Sequence, residues 1–447
     1  MSEPVDLPDP RVAWWLEARF GMFIHWGLYS VRGLDCWKMH DMGTPVDAYA
    51  RAQLPEFKAE HFDAPALVET ARRGGCRYVI MGTRHHEGYC LWNTRTSAFS
   101  SVSMGPGRDF IAEFTDAARA AGLRVGLYYS LLDWRYRAYW LGPRNDPEGW
   151  KKLVDVVHAQ VEELMTNYGQ VDVLWYDGAW GADSESPHTI APRSRWGWGF
   201  HPSDADLAEA WEAEKLNAMV RRLQPEILLN NRTGLPGDFG TPEQVIRPED
   251  RPWELCDSMG DLWGASPQDR NRKSTLEILI RLITCVSKDG NMLLNVGPRP
   301  DGRLQEWEAD ILARIGTWLS RHGEAIYGCG AEWQNPFCRG LAPWRTTRRG
   351  DTLYLHLLRY PGTSFGIASF QHDYWLESAE LLTTAQPLSI AHEPSRDIIR
   401  GLPETPPDDL MTVVRVKIRP KTDEEHRSSR SIGVEDPDAL CVDGLSV

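Results

Sequence analysis

Short apolar runs alternate with longer amphipathic stretches between residue 20 and about residue 325. The apolar runs predict eight strands, at 20–27, 76–83, 123–130, 171–177, 226–232, about 242–246, 253–257 and 291–297. Stretches of helical period predict helices at 64–74, 109–121, 149–168, 204–223, 274–288 and 304–322. Because nearly continuous apolar strands between helices form parallel sheets that are buried on both faces, this alternation predicts an α/β fold.

Eight strands in about 300 residues favour a (β/α)8-type barrel over an open sheet. The helical pattern weakens between residues 233 and 272, so we expect an irregular barrel from which helices are missing in that region. From residue 331 the runs become shorter and are separated by Gly, Pro and Asp, which is typical of antiparallel strands. We therefore predict two domains, a barrel over 1–330 and a C-terminal antiparallel β-sandwich over 331–447.

Charge and hydropathy exclude several classes of partner. The chain has 49 Lys and Arg against 63 Asp and Glu, which gives a net charge of −14. Without a basic excess, little affinity comes from counterion release, so nucleic acid is not an expected partner. The sequence has no run of about 18 apolar residues, so we expect no transmembrane helix and no membrane partner. The start of the chain lacks the basic and apolar regions of a signal peptide, so we expect a cytoplasmic protein or an exported one whose signal has been removed.

The sequence lacks the motifs of several common metal and nucleotide-cofactor sites. The eight cysteines form no CxxC pair, which predicts reduced, mostly buried thiols and disfavours a zinc site made of cysteine. The sequence also lacks glycine-rich nucleotide-binding motifs and the GxSxG nucleophile elbow. The 20 tryptophans either pack in a core or stack on the apolar faces of sugars, and composition alone does not choose between these.

Polar and aromatic side chains fall at the predicted carboxyl ends of the barrel strands, where barrel enzymes carry reactive groups. They are His25, His85, His86, Tyr128, Trp175, Asp177, Asn230, Asn231, Arg232, Asp238 and Glu243. Two carboxylates with aromatic and histidine neighbours are the set that a glycoside hydrolase needs, because one carboxylate attacks or activates and the other protonates the leaving oxygen. The same residues also have structural readings: a turn at Asp177, an ion pair at Arg232 and core packing at Tyr128.

The pair His85 and His86 also indicates a possible metal ligand set. Adjacent residues of a strand point to opposite faces, which makes joint binding of one ion awkward. No acidic cluster at metal-site spacing accompanies the two histidines. We therefore predict no metal and no cofactor.

Six segments together resemble glycoside hydrolase family 29, the α-L-fucosidases. They are FGMFIHWGLYS at 20–30, RHHEGYCLW at 84–92, GLRVGLYYS at 122–130, VDVLWYDGAW at 171–180, DFGTPEQ at 238–244 and GNMLLNVGPRPDGRL at 290–304. Their order and spacing match from residue 15 to about residue 330, and the C-terminal part looks like the family's β-sandwich. The resemblance implies a retaining exo-hydrolase that releases terminal α-L-fucose from fucosylated oligosaccharides or glycosides.

The resemblance also implies roles for particular residues. Asp177 corresponds to the nucleophile and Glu243 to the acid/base, while Asp238, Glu254 and Asp257 are the other candidate acids on this rim. The family's sugar-binding residues correspond to His25, Trp37, His85, His86, Tyr128, Trp175 and Arg232. Trp263 falls where the family places an aromatic ring beside the deoxy methyl group. The chain lacks the acid-bearing segment of the subgroup selective for branched 1,3/1,4-linked fucose, so it looks like the broader-specificity subgroup.

One position departs from the family. The family commonly carries an acidic residue before the tryptophan of the loop after strand one, whereas this chain has Cys36 before Trp37; Asp35 and His40 are candidate substitutes. Three alternatives stay open: the same chemistry on a related sugar, such as an α-L-galactoside or fucose in a sulfated polymer, a catalytically inactive sugar-binding protein, and a metal-dependent barrel hydrolase. The presence of both Asp177 and Glu243 argues against the inactive protein.

Overall fold

The computed structural model describes residues 9–33, 36, 37, 39, 43–179, 203–331, 344–367, 374–393 and 396–425. The chain divides into two compact units, Met1–Ser320 and Arg321–Val447. Within the described residues, none of the helices has the length and apolar character needed to cross a membrane.

The first unit is built on a parallel sheet of seven strands. They are β1 (Phe20–Ile24), β2 (Tyr78–Arg84), β3 (Arg124–Ser130), β4 (Val173–Asp177), β5 (Leu228–Leu229), β6 (Glu254–Ser258) and β7 (Asn291–Val296). Their order across the sheet is β5-β4-β3-β2-β1-β7-β6. Every residue of these strands except Arg124 is buried, because helices cover the outer face and side chains fill the interior. The predicted barrel-type α/β fold is confirmed.

Helices alternate with these strands along the chain. The described part has α1 (Pro10–Ala18), α2 (Val46–Gln53), α3 (Ala64–Arg73), α4 (Phe110–Ala120), α5 (Arg137–Asn145), α6 (Pro147–Asn167), α7 (Asp204–Ala210), α8 (Ala213–Leu223), α9 (Thr275–Val286) and α10 (Glu306–His322). Two short 3-10 helices cover Leu28–Gly33 and Gly323–Ala325. Several helices begin after a residue whose side chain accepts a hydrogen bond from a backbone N–H of the first turn. Examples are Asp63 at α3, Asp109 at α4 and Ser274 at α9.

Some predicted boundaries are wrong for a local reason. The single helix predicted over 204–223 is broken into α7 and α8, because Glu212 has a left-handed backbone (φ 49°) between them. The short helices α1, α2 and α5 were not predicted. No helix lies between residues 233 and 272, which confirms the predicted gap in the helical layer.

The gap between the edge strands β5 and β6 is bridged by an irregular segment over 238–244. Isolated parallel bridges join Asn230 to Phe239 on one side and Gly240 to Trp253 and Glu243 to Cys256 on the other. The strand predicted at about 242–246 is therefore wrong as a regular strand, and β5 is two residues long instead of seven. Pro242 cannot donate a backbone hydrogen bond, so a continuous ladder is not formed there.

The second unit is an antiparallel sheet. Its strands are β8 (Trp344–Arg349), β9 (Thr352–Leu357), β10 (Ser364–Ile367), β11 (Tyr374–Leu381), β12 (Pro387–Glu393), β13 (Arg396–Arg400) and β14 (Val413–Pro420), in the order β10-β13-β12-β11-β14-β9-β8. Leu355, Phe365, Leu376, Ile399 and Val416 are among the buried side chains of one apolar core. Side chains from both halves of the strand order, β10-β13-β12 and β11-β14-β9-β8, pack in this one core, as in a sandwich. The predicted C-terminal antiparallel β-sandwich is confirmed.

Candidate active site

A pocket lies at the carboxyl ends of the parallel strands. Its lining is Phe23, His25, Trp37, His85, His86, Tyr128, Trp175, Asp177, Arg232, Glu243, Cys256 and Trp263. The nucleophile Asp177, the acid/base Glu243 and the eight sugar-binding residues expected from the resemblance are all in this lining, together with Phe23 and Cys256, which the sequence did not predict. Asn230 and Asn231, also expected at the strand ends, are outside it. The structure thus brings together side chains that are more than 200 residues apart in the chain.

Asp177 is the last residue of β4, and its two carboxylate oxygens have different partners. The hydroxyl of Tyr128 donates to Oδ2 at 2.9 Å, and Nη1 of Arg232 donates to Oδ1 at 3.1 Å. Tyr128 is near Asp177 because β3 pairs with β4 so that Tyr128 is opposite Trp175. Burial raises the pKa of Tyr128 well above its ordinary value, so the hydroxyl keeps its proton and acts as the donor.

Arg232 joins the two carboxylates of the pocket. Its Nη1 donates to Asp177, while its Nη2 donates to Oε2 of Glu243 at 2.9 Å. The guanidinium also lies over the indole of Trp175, 4.8 Å from the ring centroid. Burial opposes the positive charge, but the carboxylates of Asp177 and Glu243 outweigh it and raise the pKa of Arg232 above its ordinary value. Arg232 is therefore a fixed cation between the two acids.

The other three candidate acids are outside the pocket lining. Asp238 accepts hydrogen bonds from Arg11, Arg221 and the backbone N–H of Leu229. The Glu254 carboxylate is fully buried and accepts hydrogen bonds from the Tyr78 hydroxyl and from Nε1 of Trp175.

Asp257 is also fully buried, and it forms ion pairs with Lys273 and Arg281. Of the four acids that the sequence proposed beside Asp177, Glu243 is the one that lines the pocket.

Neutral histidines form part of the wall. Burial lowers the pKa of His25 to about 4, although its Nδ1 is 2.6 Å from Oδ1 of Asn295. Burial also lowers the pKa of His85 well below its usual range, and Nδ1 of His85 has no hydrogen-bond partner among the described residues. At neutral pH both rings are uncharged, which suits hydrogen bonds to the uncharged hydroxyls of a sugar.

His86 brings the metal alternative back into consideration. Ligand atoms of His85, His86 and Asp177 lie within 4.8 Å of one another, and Nε2 of His86 is 3.8 Å from Oδ2 of Asp177. His85 and His86 do not point to opposite faces as predicted, because β2 ends at Arg84 and both rings lie beyond the strand, with centroids 4.0 Å apart. Against a metal, the Arg232 guanidinium already pairs with Asp177 and repels a second cation.

Two tryptophans complete the wall. Trp37 packs edge-on against His86 with ring centroids 5.1 Å apart, and Trp263 lies 5.2 Å from His25. Cys36 is buried and is not part of the lining, while Asp35 and His40 lie outside the described residues. Because this chain has Cys36 where the family commonly has an acidic residue, it lacks that negative charge directly before the pocket residue Trp37 in the sequence.

Comparisons with known proteins agree with this geometry. Residues 5–324 match the model of the family described as Alpha-L-fucosidase. The chain belongs to the α-L-fucosidase family. It is 31% identical to α-L-fucosidase isoenzyme 1 from Paenibacillus thiaminolyticus, with a TM-score of 0.78 over 92% of this chain and 99% of that one.

Two further relatives cover most of the chain. The Homo sapiens tissue α-L-fucosidase is 28% identical over 432 residues, which cover 89% of this chain and 86% of the human protein. The Thermotoga maritima α-fucosidase, in complex with a mechanism-based inhibitor, is 27% identical, with a TM-score of 0.73 over 92% of this chain and 97% of that one. The predicted function, a retaining α-L-fucosidase acting on fucosylated glycosides, is thereby confirmed at the level of the family. The parts played by individual residues stay predictions.

Proposed function

We propose that this chain hydrolyses terminal α-L-fucosides by double displacement, with Asp177 as the nucleophile and Glu243 as the general acid and base. One observation carries the proposal: a single guanidinium, that of Arg232, holds both carboxylates in one pocket. Family membership supplies the reaction class, and the pocket supplies two acids of the kind that the reaction requires.

In the first step, an Asp177 oxygen attacks the anomeric carbon while the bond from that carbon to the aglycone oxygen breaks. Glu243 enters this step as the neutral acid, with Oε2 accepting from Arg232 and the proton on its other oxygen. It gives that proton to the leaving oxygen, so that an aglycone alcohol and a β-linked fucosyl ester of Asp177 are formed. In the second step, Glu243 takes a proton from water, and the water oxygen replaces the Asp177 carboxylate at the anomeric carbon. The product is α-L-fucose, and both carboxyl groups return to their starting states.

Hydrogen bonds prepare Asp177 for attack. Tyr128 and Arg232 each bind one of its oxygens, which fixes the plane of the carboxylate and favours its anionic form. The same two donors stabilise the carboxylate when it leaves in the second step. His25 and His85 are uncharged donors or acceptors for the sugar hydroxyls, while Phe23, Cys256 and Trp263 supply apolar surface for a deoxy methyl group.

The nucleophile is tested with Asp177→Gly. We expect the rate on 4-nitrophenyl α-L-fucoside to fall by on the order of 10⁴- to 10⁶-fold, because no other group forms the ester. Added azide should restore part of the rate and give β-L-fucosyl azide, the product of one inversion. NMR identifies the anomer.

The matched control is Tyr128→Phe, which removes a donor to Asp177 and leaves the carboxylate in place. Its rate should fall less than that of Asp177→Gly, and azide should not raise it. Near wild-type turnover by Asp177→Gly, or an α-azide product, contradicts the assignment of Asp177.

The segment that carries Glu243 indicates how wide a range of fucosides the enzyme accepts. We propose the broader-specificity subgroup, since DFGTPEQ at 238–244 resembles its version of the acid-bearing segment. The glutamate side chain is 42% exposed, which leaves room for aglycones of different shapes. The enzyme should cleave every member of a panel of α-1,2-, α-1,3-, α-1,4- and α-1,6-linked fucosyl oligosaccharides. Cleavage confined to branched 1,3/1,4-linked fucose contradicts the assignment to the broader-specificity subgroup.

A metal-dependent hydrolase is the second candidate, because His85, His86 and Asp177 form a group with metal-ligand potential. Dialysis against EDTA separates the two candidates. The double displacement proposed above uses no metal, so activity should be unchanged; loss with EDTA and recovery with Zn²⁺ favours the metal-dependent reaction.

The state of the cysteine thiols indicates the cellular compartment of the protein. Cys76, Cys90, Cys256 and Cys285 are buried and form no disulfide within the described residues, while Cys338 and Cys441 lie outside them. We propose a reducing compartment, since such environments keep thiols reduced. Cell fractionation tests this, and recovery of the protein mainly from an oxidising compartment contradicts it.

A further inference from the structure

Glu243 lies on a segment whose backbone is held in an unusual conformation. Gln244, the next residue, has φ of 55°, in the left-handed region that non-glycine residues rarely adopt. Two backbone hydrogen bonds to β6 fix the segment: Cys256 N–H donates to Pro242 O at 3.1 Å, and Gln244 N–H donates to Cys256 O at 2.9 Å. A strained residue persists when its surroundings over-determine it, so the surroundings of Gln244 decide where Glu243 points.

Arg281 on helix α9 supplies a third anchor for this segment. Its Nη2 donates to the carbonyl oxygen of Gln244 at 2.5 Å, and its Nε donates to Oδ2 of Asp257. Asp257 is fully buried in β6, which makes it a fixed point for the guanidinium. One side chain therefore connects the helical layer, a barrel strand and the backbone beside Glu243.

We propose that Arg281, fixed by Asp257, is a positioning residue for the acid/base Glu243. The inference rests on the proposed role of Glu243. The Glu243 side chain is 42% exposed, so the pocket wall does not enclose it, and its carboxyl position depends on the backbone as well as on the hydrogen bond from Arg232. Without Arg281, Gln244 relaxes toward ordinary backbone angles and the carboxyl moves away from the glycosidic oxygen. Arg281 itself is absent from the pocket lining.

The expected signature is selective for the leaving group. Proton transfer matters greatly when the aglycone is an alkyl alcohol and little when it is an activated phenol, because a phenolate leaves without a proton. A small misplacement of a catalytic group costs up to about 100-fold. For Arg281→Gln we expect kcat/KM to fall roughly 10- to 100-fold on methyl α-L-fucoside and less than about 3-fold on 4-nitrophenyl α-L-fucoside.

The matched control is Lys273→Gln. Lys273 is the second cation on Asp257, its side chain is 24% exposed like that of Arg281, and it donates to Ser258 O rather than to Gln244. Its loss should change kcat/KM equally on the two substrates. Gln244→Gly is the second test and should show the selective loss to a smaller extent, because glycine tolerates the left-handed conformation but widens the choice of backbone angles beside Glu243. This variant decides the matter if Arg281→Gln does not fold.

Glu243→Gln, measured in parallel, separates the two proposals. If Glu243→Gln shows the selective loss and both Arg281→Gln and Gln244→Gly do not, the positioning role is overturned while the role of Glu243 stands. An equal loss on both substrates in the Arg281 variant also overturns positioning, since it indicates a general structural effect. If Glu243→Gln itself lacks selectivity, both proposals fail.

Discussion

At the scale of single residues, the apolar part of the pocket wall bears on which sugar is accepted. Phe23, Cys256 and Trp263 supply this surface among histidines and charged groups. L-Fucose differs from L-galactose by the absence of the hydroxyl on C6, so an apolar wall beside C6 leaves that hydroxyl without a partner. Burying an unpaired hydroxyl costs about 1–3 kcal/mol, which corresponds to roughly 5- to 150-fold in rate.

We therefore predict a preference for α-L-fucoside over α-L-galactoside within that range, measured as kcat/KM. Trp263→Ala should narrow the preference. Asn295 binds the backbone carbonyl of Trp263, so this substitution leaves the support of His25 in place. Trp37→Ala, at the tryptophan beside His86, should lower kcat/KM on both sugars to a similar extent. Equal or better hydrolysis of the galactoside by the wild type contradicts the fucose assignment and points to the Cys36 departure.

Strand ends and family motifs predict most of the residues of the pocket. They do not predict Phe23 and Cys256, or the structural roles of the other three acids. Phe23 is two residues before His25 within the strand predicted over 20–27, so strand periodicity in the sequence already places the two on one face. Cys256 reaches the pocket because it bridges to Glu243, a contact with no sequence signature. The roles of Asp238, Glu254 and Asp257 depend on ion pairs and burial, which strand-end position alone does not reveal.

At the scale of elements, strand β6 carries a buried acid that faces the barrel interior below the pocket. Burial raises the pKa of Glu254 to about 7, although Tyr78 and Trp175 donate hydrogen bonds to it. The unfolded-state pKa is near the ordinary value of 4.5, so the folded state binds the proton more tightly than the unfolded state does. The stability from this group is fully present below about pH 4.5 and is lost as the pH rises through about 7.

Glu254→Gln should remove this pH dependence, because the amide mimics the protonated acid. Relative to wild type, the free energy of unfolding of the variant should rise by up to about 3 kcal/mol between pH 5 and pH 8. Urea unfolding at several pH values measures the difference, and Glu226→Gln is the control at an exposed glutamate. A constant difference between wild type and Glu254→Gln across this range contradicts the argument.

Most elements follow the hydrophobic pattern, and the exceptions have local causes. Strands β2, β3 and β7 begin and end within two residues of their predicted limits, because buried parallel strands are apolar along their whole length. The segment 238–244 closes the gap between β5 and β6 through isolated bridges, which leave no periodic pattern in the sequence. The break between α7 and α8 depends on the left-handed backbone of Glu212, for which the sequence has no glycine.

At the scale of the whole molecule, the net charge of −14 bears on the alternative of a sulfated polymer. Like charges repel through solvent over about a Debye length, which is about 10 Å at 0.1 M salt and about 30 Å at 0.01 M. A neutral fucosyl oligosaccharide approaches the pocket without this barrier. A sulfated fucan must approach against the field of the whole protein, even though Arg232 is positive inside the pocket.

We therefore predict different salt dependences for the two kinds of substrate. Between 0.01 and about 0.3 M NaCl, kcat/KM on sulfated fucan oligosaccharides should rise up to about tenfold, because screening removes repulsion from the association step. On a neutral α-L-fucosyl disaccharide of the same linkage it should stay constant, which serves as the control for salt effects on the enzyme itself. If activity on the sulfated substrate falls with salt, a basic surface attracts the polymer and sulfated fucans become the favoured substrate class. If both stay constant, the net charge has no part in substrate choice, and selection rests with the pocket wall.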